Sequence, residues 1–176
     1  MAYIDLPEFE EMTPEIQKRA RPILEKTGSL GDIFKLLALD EKVYFATDAM
    51  VQSYLLEETY LSYDIKEAIA LLVSKENSCK MCVDVHKNIA KMLGLSEEKI
   101  EDILGGIENM KVDQKDKALL NFSVRASKKD NYKMMKEDID RLKELGWSDK
   151  EILEAVAIVG YFNYINTLSN VFGLGA

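Results

Sequence analysis

Both cysteines of this 176-residue chain and its only histidine fall within the eight residues Cys79 to His86. On a helix turning about 100° per residue, Cys79 and Cys82 lie about 60° apart and His86 about 40° from Cys82, so all three share one face. The two thiols can approach disulfide distance. The imidazole, one turn beyond Cys82, favours thiolate over thiol, and the thiolate is the nucleophile. A fourth member follows from the break at Asn77-Ser78, which folds the flanking helices into an antiparallel hairpin. His86 lies about 12 Å past that turn and Glu67 about 15 Å before it, so the two face each other. Six apolar residues follow Glu67, Ala68 to Val73, and cover every face of its helix. A carboxylate drawn inward there needs a partner. Glu67, His86 and Cys82 then form a relay that accepts a thiol proton, with Cys79 placed to close a disulfide.

Other chemistries use some of the same residue types. Two thiolates, an imidazole and a carboxylate make a possible zinc ligand set, which is the alternative reading: a metal-binding or redox-sensing scaffold without turnover. In a chain able to bury a core of its own, structural zinc would be redundant, so no metal is expected. Buried cysteines also pack as small inert hydrophobes, and Glu67 taken alone reads as a surface acid. Haem attachment of the c type is excluded because Val83, not histidine, follows Cys82.

The elements that must position these groups are helical throughout, since apolar residues recur at spacings of three and four and nowhere alternate. Thr13-Pro14 opens a helix to Lys26 that Pro22 interrupts, with Gly28 past its end. A second stretch starts at Gly31-Asp32, breaks at Asp40 and continues through Val43, Ala46, Met50 and Tyr54. Ser62 or Asp64 caps a helix over Ile65 to Glu76, and the next runs from Cys79 to Leu93. Ser96 caps a short helix ending at Gly105-Gly106. Asp113 begins one reaching Lys128, and Asn131 caps one reaching Leu145. Ser148 to Glu151 is a capping box for the last helix. With no strands, a thioredoxin fold is not expected. The prediction is one all-α domain spanning residues 1–176.

Composition narrows the partners. There are 31 acidic and 23 basic side chains, a formal charge of −8, and this opposes the positive field on which nucleic-acid and anionic-lipid binding depend. Ala155 to Ala176 carries no charge and approaches bilayer-spanning length. Asn163, Asn166, Thr167, Ser169 and Asn170 fall within it and make a membrane span costly, so a buried or subunit-facing helix is expected. The first residues do not read as a secretory signal, which points to the reducing cytoplasm.

The intervals Glu67, eleven residues, Cys79, two residues, Cys82, three residues, His86 resemble the signature of the AhpD-like alkylhydroperoxidases. These belong to the carboxymuconolactone decarboxylase superfamily, and the match is to its peroxidase-related members in particular. The resemblance covers residues 62–104 best. It implies an AhpD-like helical bundle assembled as a trimer or hexamer. It further implies a peroxidatic Cys82 activated through His86 and Glu67, with Cys79 as the resolving thiol. The substrate would be a hydroperoxide or a disulfide, no cofactor would be bound, and an external lipoyl or thioredoxin-like dithiol would serve as reductant. Phe162-Asn163-Tyr164-Ile165-Asn166 is similar to a segment in which arginine often follows the second asparagine; Thr167 stands there instead. Met81 replaces the histidine or tyrosine frequent before the second cysteine. Lactone decarboxylation is disfavoured, since decarboxylases of the superfamily generally lack the cysteine pair.

Overall fold

The computed structural model describes residues 2–57 and 59–175, and among these it contains nine α-helices and no strand. In order they are α1 (Pro14–Thr27), α2 (Asp32–Leu37), α3 (Glu41–Tyr54), α4 (Tyr63–Glu76), α5 (Lys80–Met92), α6 (Glu97–Gly105), α7 (Gln114–Ser127), α8 (Lys136–Glu144) and α9 (Asp149–Val171). The fold is all-α, as the periodicity predicts. Side-chain caps set many of the boundaries. Thr13, Ser96 and Asp113 each accept the N–H three residues on, and Asp40 accepts from Lys42 and Val43. Ser148 and Glu151 cap α9 reciprocally. Each such cap contributes about 0.5–2 kcal/mol.

Two boundaries differ from expectation. Pro22 does not interrupt α1, which continues to Thr27 and ends at Gly28 with φ 78°. The hydrogen bond that proline forfeits would have ended on the carbonyl of Lys18, an exposed residue that water can solvate. The helix predicted from Asn131 to Leu145 is instead a 3-10 turn, Asn131–Lys133, followed by α8 after the extended residues Met134 and Met135. Asn131 does not cap α8. Its side-chain amide donates to the Ala126 carbonyl near the end of α7 at 3.0 Å, while Asp138 accepts the Met135 N–H at 2.9 Å and starts α8.

Helix α4 is the axle of the bundle. Every residue from Ile65 to Ser74 is buried, and the helix packs against α5, α7 and α9. Leu71, Ile100, Leu119, Ile158 and Phe162 fill the surrounding core, each gaining about 1.5–3 kcal/mol from burial. A smaller cluster built on Ile16, Leu37 and Tyr44 joins α1 to α3. Among the described residues no helix is long and apolar enough to cross a membrane.

Complete burial of α4 encloses a cation as well as apolar residues. Lys66 is 1% exposed, and its Nζ lies 3.0 Å from the Glu154 carboxylate of α9 while donating to the Glu57 carbonyl at 2.6 Å and to Thr59 at 3.1 Å. Glu154 also accepts the N–H groups of Tyr60 and Leu61, each at 3.0 Å. Burial pushes the Glu154 carboxyl up, but hydrogen bonds from Thr59, Lys66 and the Leu61 N–H, with the Lys66 charge, outweigh it and hold the group below the usual carboxylate range. The cluster ties the segment entering α4 to α9.

Glu154→Ala strands a buried ammonium and is expected to destabilise the protein by about 3–5 kcal/mol in urea unfolding at neutral pH. The joint replacement Lys66→Met with Glu154→Leu recovers most of that loss. Because the folded carboxyl is depressed, its contribution is present above the unfolded value near pH 4.3 and is lost as pH falls through the folded value. The gap between wild type and Glu154→Ala should therefore narrow on acidification; a constant gap between pH 7 and pH 3 would refute the assignment.

Candidate active site

Glu67, one residue beyond the Lys66 clamp, is 4% exposed. Its Oε2 lies 2.8 Å from His86 Nδ1 on α5, so the expected carboxylate–imidazole pair is present. With the carboxylate ionised, Nδ1–H donates to it, and Nε2 is left as the ring nitrogen available for a transferred proton. Phe162 meets the imidazole edge to face, ring centres 4.8 Å apart, and fixes its plane from the α9 side. Helices α4 and α5 thus hold acid and base in register across the hairpin that the sequence predicts.

The turn between them carries the sulfurs. Cys79 and Cys82 are joined as a disulfide with Cα atoms 5.3 Å apart. The position of Cys79 differs from expectation: it is the N-cap of α5, with φ −88° and ψ 87°, and the helix begins at Lys80. Its sulfur accepts the Cys82 N–H at 3.4 Å, a role that serine or aspartate commonly fills. Cys82 therefore lies in the first turn of a helix, where the unpaired N–H groups and the helix dipole favour a thiolate. Both residues are buried, at 1% and 3% exposure.

Four amides and two serines lock this turn to α9. Asn77 Nδ2 donates to the side-chain oxygens of Asn163 at 2.8 Å and Asn166 at 3.0 Å. Asn166 donates to Ser74 at 3.1 Å, Asn170 donates to the Asn77 carbonyl at 2.9 Å, and the Ser169 hydroxyl stands 3.5 Å from Cys82 Sγ as its donor. The spacing Asn163, Asn166, Asn170 follows one face of α9 as it crosses the turn. Ser78 is held at φ 55°, the left-handed region that a non-glycine residue enters at a cost of about 1 kcal/mol or more. At the C-terminal end, a Cβ on Gly175 (φ 76°) would come within 2.8 Å of Met81 Cβ, so the tail lies directly on the cysteine loop.

A cavity of about 410 Å³ opens beside these groups. Leu37, Val51, Leu55, Val85, Ile89 and Ile165 make it mostly apolar, and Glu67, Cys82 and His86 stand on its wall. Cys79 does not reach it. All four predicted site residues are thus gathered in one region, with Cys82 alone of the two cysteines lining the space. No three of His, Cys, Asp and Glu are grouped as metal ligands among the described residues. The sequence reading did not anticipate the anchoring roles of Asn77, Asn163, Asn166, Ser169 and Asn170. Their available signal was helical recurrence of polar side chains in an otherwise apolar helix.

Residues 44–111 match the model of the carboxymuconolactone decarboxylase family. This segment, which holds the whole Glu67-to-His86 constellation, is similar to that family, and the chain as a whole has the helical fold of AhpD-like proteins. The crystal structure of a peroxidase-related protein from Ralstonia eutropha JMP134, an alkylhydroperoxidase AhpD core, superposes with a TM-score of 0.90 over 98% of this chain and 90% of its own, at 21% identity. A peroxidase-related protein from Silicibacter sp. TM1040 gives 0.89 over 98% and 90% at 24% identity. The debrominase Bmp8, in complex with 2,3,4-tribromopyrrole, gives 0.80 over 99% and 92% at 15% identity. No curated protein matches the chain.

Asn166→Ala deletes two buried hydrogen bonds and leaves Ser74 and Asn77 short of partners, at an expected cost of about 1–3 kcal/mol. The same variant should speed reduction of the disulfide by dithiothreitol, because the turn that shields it loosens. Unchanged stability and unchanged reduction rate would show that the amides do not anchor the turn.

Proposed function

We propose that the protein is a thiol-dependent oxidoreductase that reduces hydroperoxides, or disulfides, through the Cys79/Cys82 couple. The observation that carries this reading is the Glu67–His86 pair set on the same cavity wall as the sulfur of Cys82, with Cys79 bonded behind it. In the reduced protein His86 takes the Cys82 proton, and Glu67 stabilises the imidazolium that results. The thiolate attacks the outer peroxide oxygen. The O–O bond breaks, the alkoxide receives a proton from His86 and leaves as alcohol, and Cys82 becomes a sulfenic acid. Cys79 attacks that sulfur, water departs, and the disulfide forms. An external dithiol then reduces it by exchange, so that hydroperoxide and dithiol give alcohol, water and a new disulfide. Sulfurs withdrawn this far from solvent suit a slender lipoyl arm better than the broad face of a thioredoxin-like protein.

The same reading places the protein in the cytoplasm, where such dithiols are kept reduced, as a trimer or hexamer. Leu153, Val156 and Val171 on α9, at 70%, 40% and 63% exposure, supply apolar surface for assembly. No bound cofactor is required by this chemistry. A second reading, suggested by the debrominase relative and the apolar cavity, is reductive dehalogenation by the same dithiol; release of bromide from a brominated pyrrole tests it. The zinc-binding alternative predicts stoichiometric metal held by the reduced protein.

Cys82→Ser should abolish peroxide-dependent oxidation of a supplied dithiol, and Cys79→Ser should accumulate a sulfenic acid or mixed disulfide visible by mass spectrometry. His86→Ala should lower turnover by about 10²–10⁴-fold. Turnover by Cys82→Ser at the wild-type rate would refute the mechanism.

A further inference from the structure

Two phenols in the cavity wall have no part in the redox relay. Tyr44 of α3 and Tyr161 of α9 are 2% and 7% exposed, and both line the cavity. Neither hydroxyl is hydrogen-bonded to any described residue, although Tyr164 close by pairs with Thr47 at 3.2 Å. Among the described residues, no fully enclosed side-chain oxygen or nitrogen lacks a partner. The two hydroxyls must therefore reach open space, and the space their residues share is the cavity. In a mostly apolar site, phenolic O–H groups with no acceptor among the described residues mark where a ligand's polar atom belongs.

We propose that the cavity is a binding site for a neutral, largely apolar molecule carrying one hydrogen-bond-accepting oxygen, to which Tyr44 and Tyr161 donate. The proposal names the substrate class of the site described above, and it rests on that reading only in taking the bound molecule as the one on which Cys82 acts. Tyr161 precedes Ser169, the neighbour of Cys82, by eight residues, about 12 Å along α9. Tyr161 thus reads a group displaced along α9 from the sulfur. Burial keeps both hydroxyls protonated, and the Asp48 carboxylate, acting on both, and the nearby Tyr164, acting on Tyr161, reinforce this, so they serve as donors. Asp48 also lines the cavity and sets the charge requirement. It is paired with Arg19 at 2.7 Å and accepts from Gln52 at 3.4 Å, and since Asp48 lines the cavity while Arg19 does not, a ligand carboxylate would meet the acid without its counter-ion.

The test is binding, in which neither thiol nor peroxide takes part, so its failure is separate from failure of the redox reading. Three probes share one apolar body: 4-phenyl-2-butanone, butylbenzene and 4-phenylbutyrate. Calorimetric or NMR titration of wild type and Tyr44→Phe/Tyr161→Phe is expected to show the ketone bound about tenfold more weakly by the double variant, with butylbenzene bound no more weakly. The carbonyl stretch of the ketone bound to wild type should fall below its value in a hydrocarbon solvent, a shift that needs no variant to be folded. Failure of the ketone to bind, an unshifted carbonyl, or equal effects of the double variant on ketone and hydrocarbon would overturn the proposal. So would 4-phenylbutyrate binding as tightly as the ketone.

Discussion

Glu67 lies in a helix buried along the whole of residues 65–74, and a carboxylate in that setting can be held only against a donor that compensates its lost hydration. His86 is that donor, at 2.8 Å, and the constraint propagates outward. A buried pair of this length tolerates no slip of one helix past the other, so α4 and α5 are fixed in a single register. Cys82 stands one turn before His86 on the same helix, so fixing the imidazole against Glu67 also fixes where Cys82 stands relative to α4. Burial of the acid, ordinarily a liability, thereby fixes the imidazole and, through the helix they share, Cys82. The neighbouring residue repeats the device, because Lys66 is enclosed just as completely and is matched by Glu154. Successive residues of α4 thus commit it to α5 on one side and to α9 on another.

Helix α9 completes the arrangement from outside the hairpin. A tight turn that places Ser78 at φ 55° and withdraws two sulfurs from water leaves backbone and amide groups without solvent, and these need partners. The asparagines of α9 supply them along one face, while Phe162, from the same helix, sets the plane of the imidazole. One rigid element therefore contacts both the cysteine turn and the imidazole. Side chains at a turn are better held by a helix crossing the hairpin than by the turn itself, because a turn alone has too few contacts to fix them.

Much of this was legible in the sequence, and the reasons are physical. The caps at Thr13, Ser96, Asp113 and Ser148 are local, made between residues three apart, so they read directly from the chain. The Glu67–His86 pair was legible because a short hairpin makes depth from the turn equivalent to position in space. What escaped prediction is non-local or one residue wide. Nothing near Asn163 indicates that its partner is Asn77, 86 positions earlier. Nothing near Lys66 announces the carboxylate of Glu154. Cys79 was placed inside α5 because angular spacing cannot distinguish an N-cap from a first turn, and the distinction rests on a single backbone torsion. Pro22 and Asn131 failed for a related reason: each is a generic breaker or capper whose effect depends on which carbonyl or amide happens to lie nearby.

The displacement of Cys79 from helix to N-cap alters the chemistry available to the pair. Were both sulfurs on the helix face, they would stand in similar surroundings and either could serve as nucleophile. Instead Cys79 accepts the Cys82 N–H and lies behind the cavity wall, while Cys82 faces the cavity with a serine hydroxyl 3.5 Å from its sulfur. An incoming thiolate using that space meets Cys82, and the sulfur expelled is then Cys79. A departing thiolate is stabilised by an amide donor at a helix N-terminus, and a better-stabilised leaving group is displaced faster. For the proposed exchange, the asymmetry thus sets a direction: attack on the cavity side, departure on the buried side.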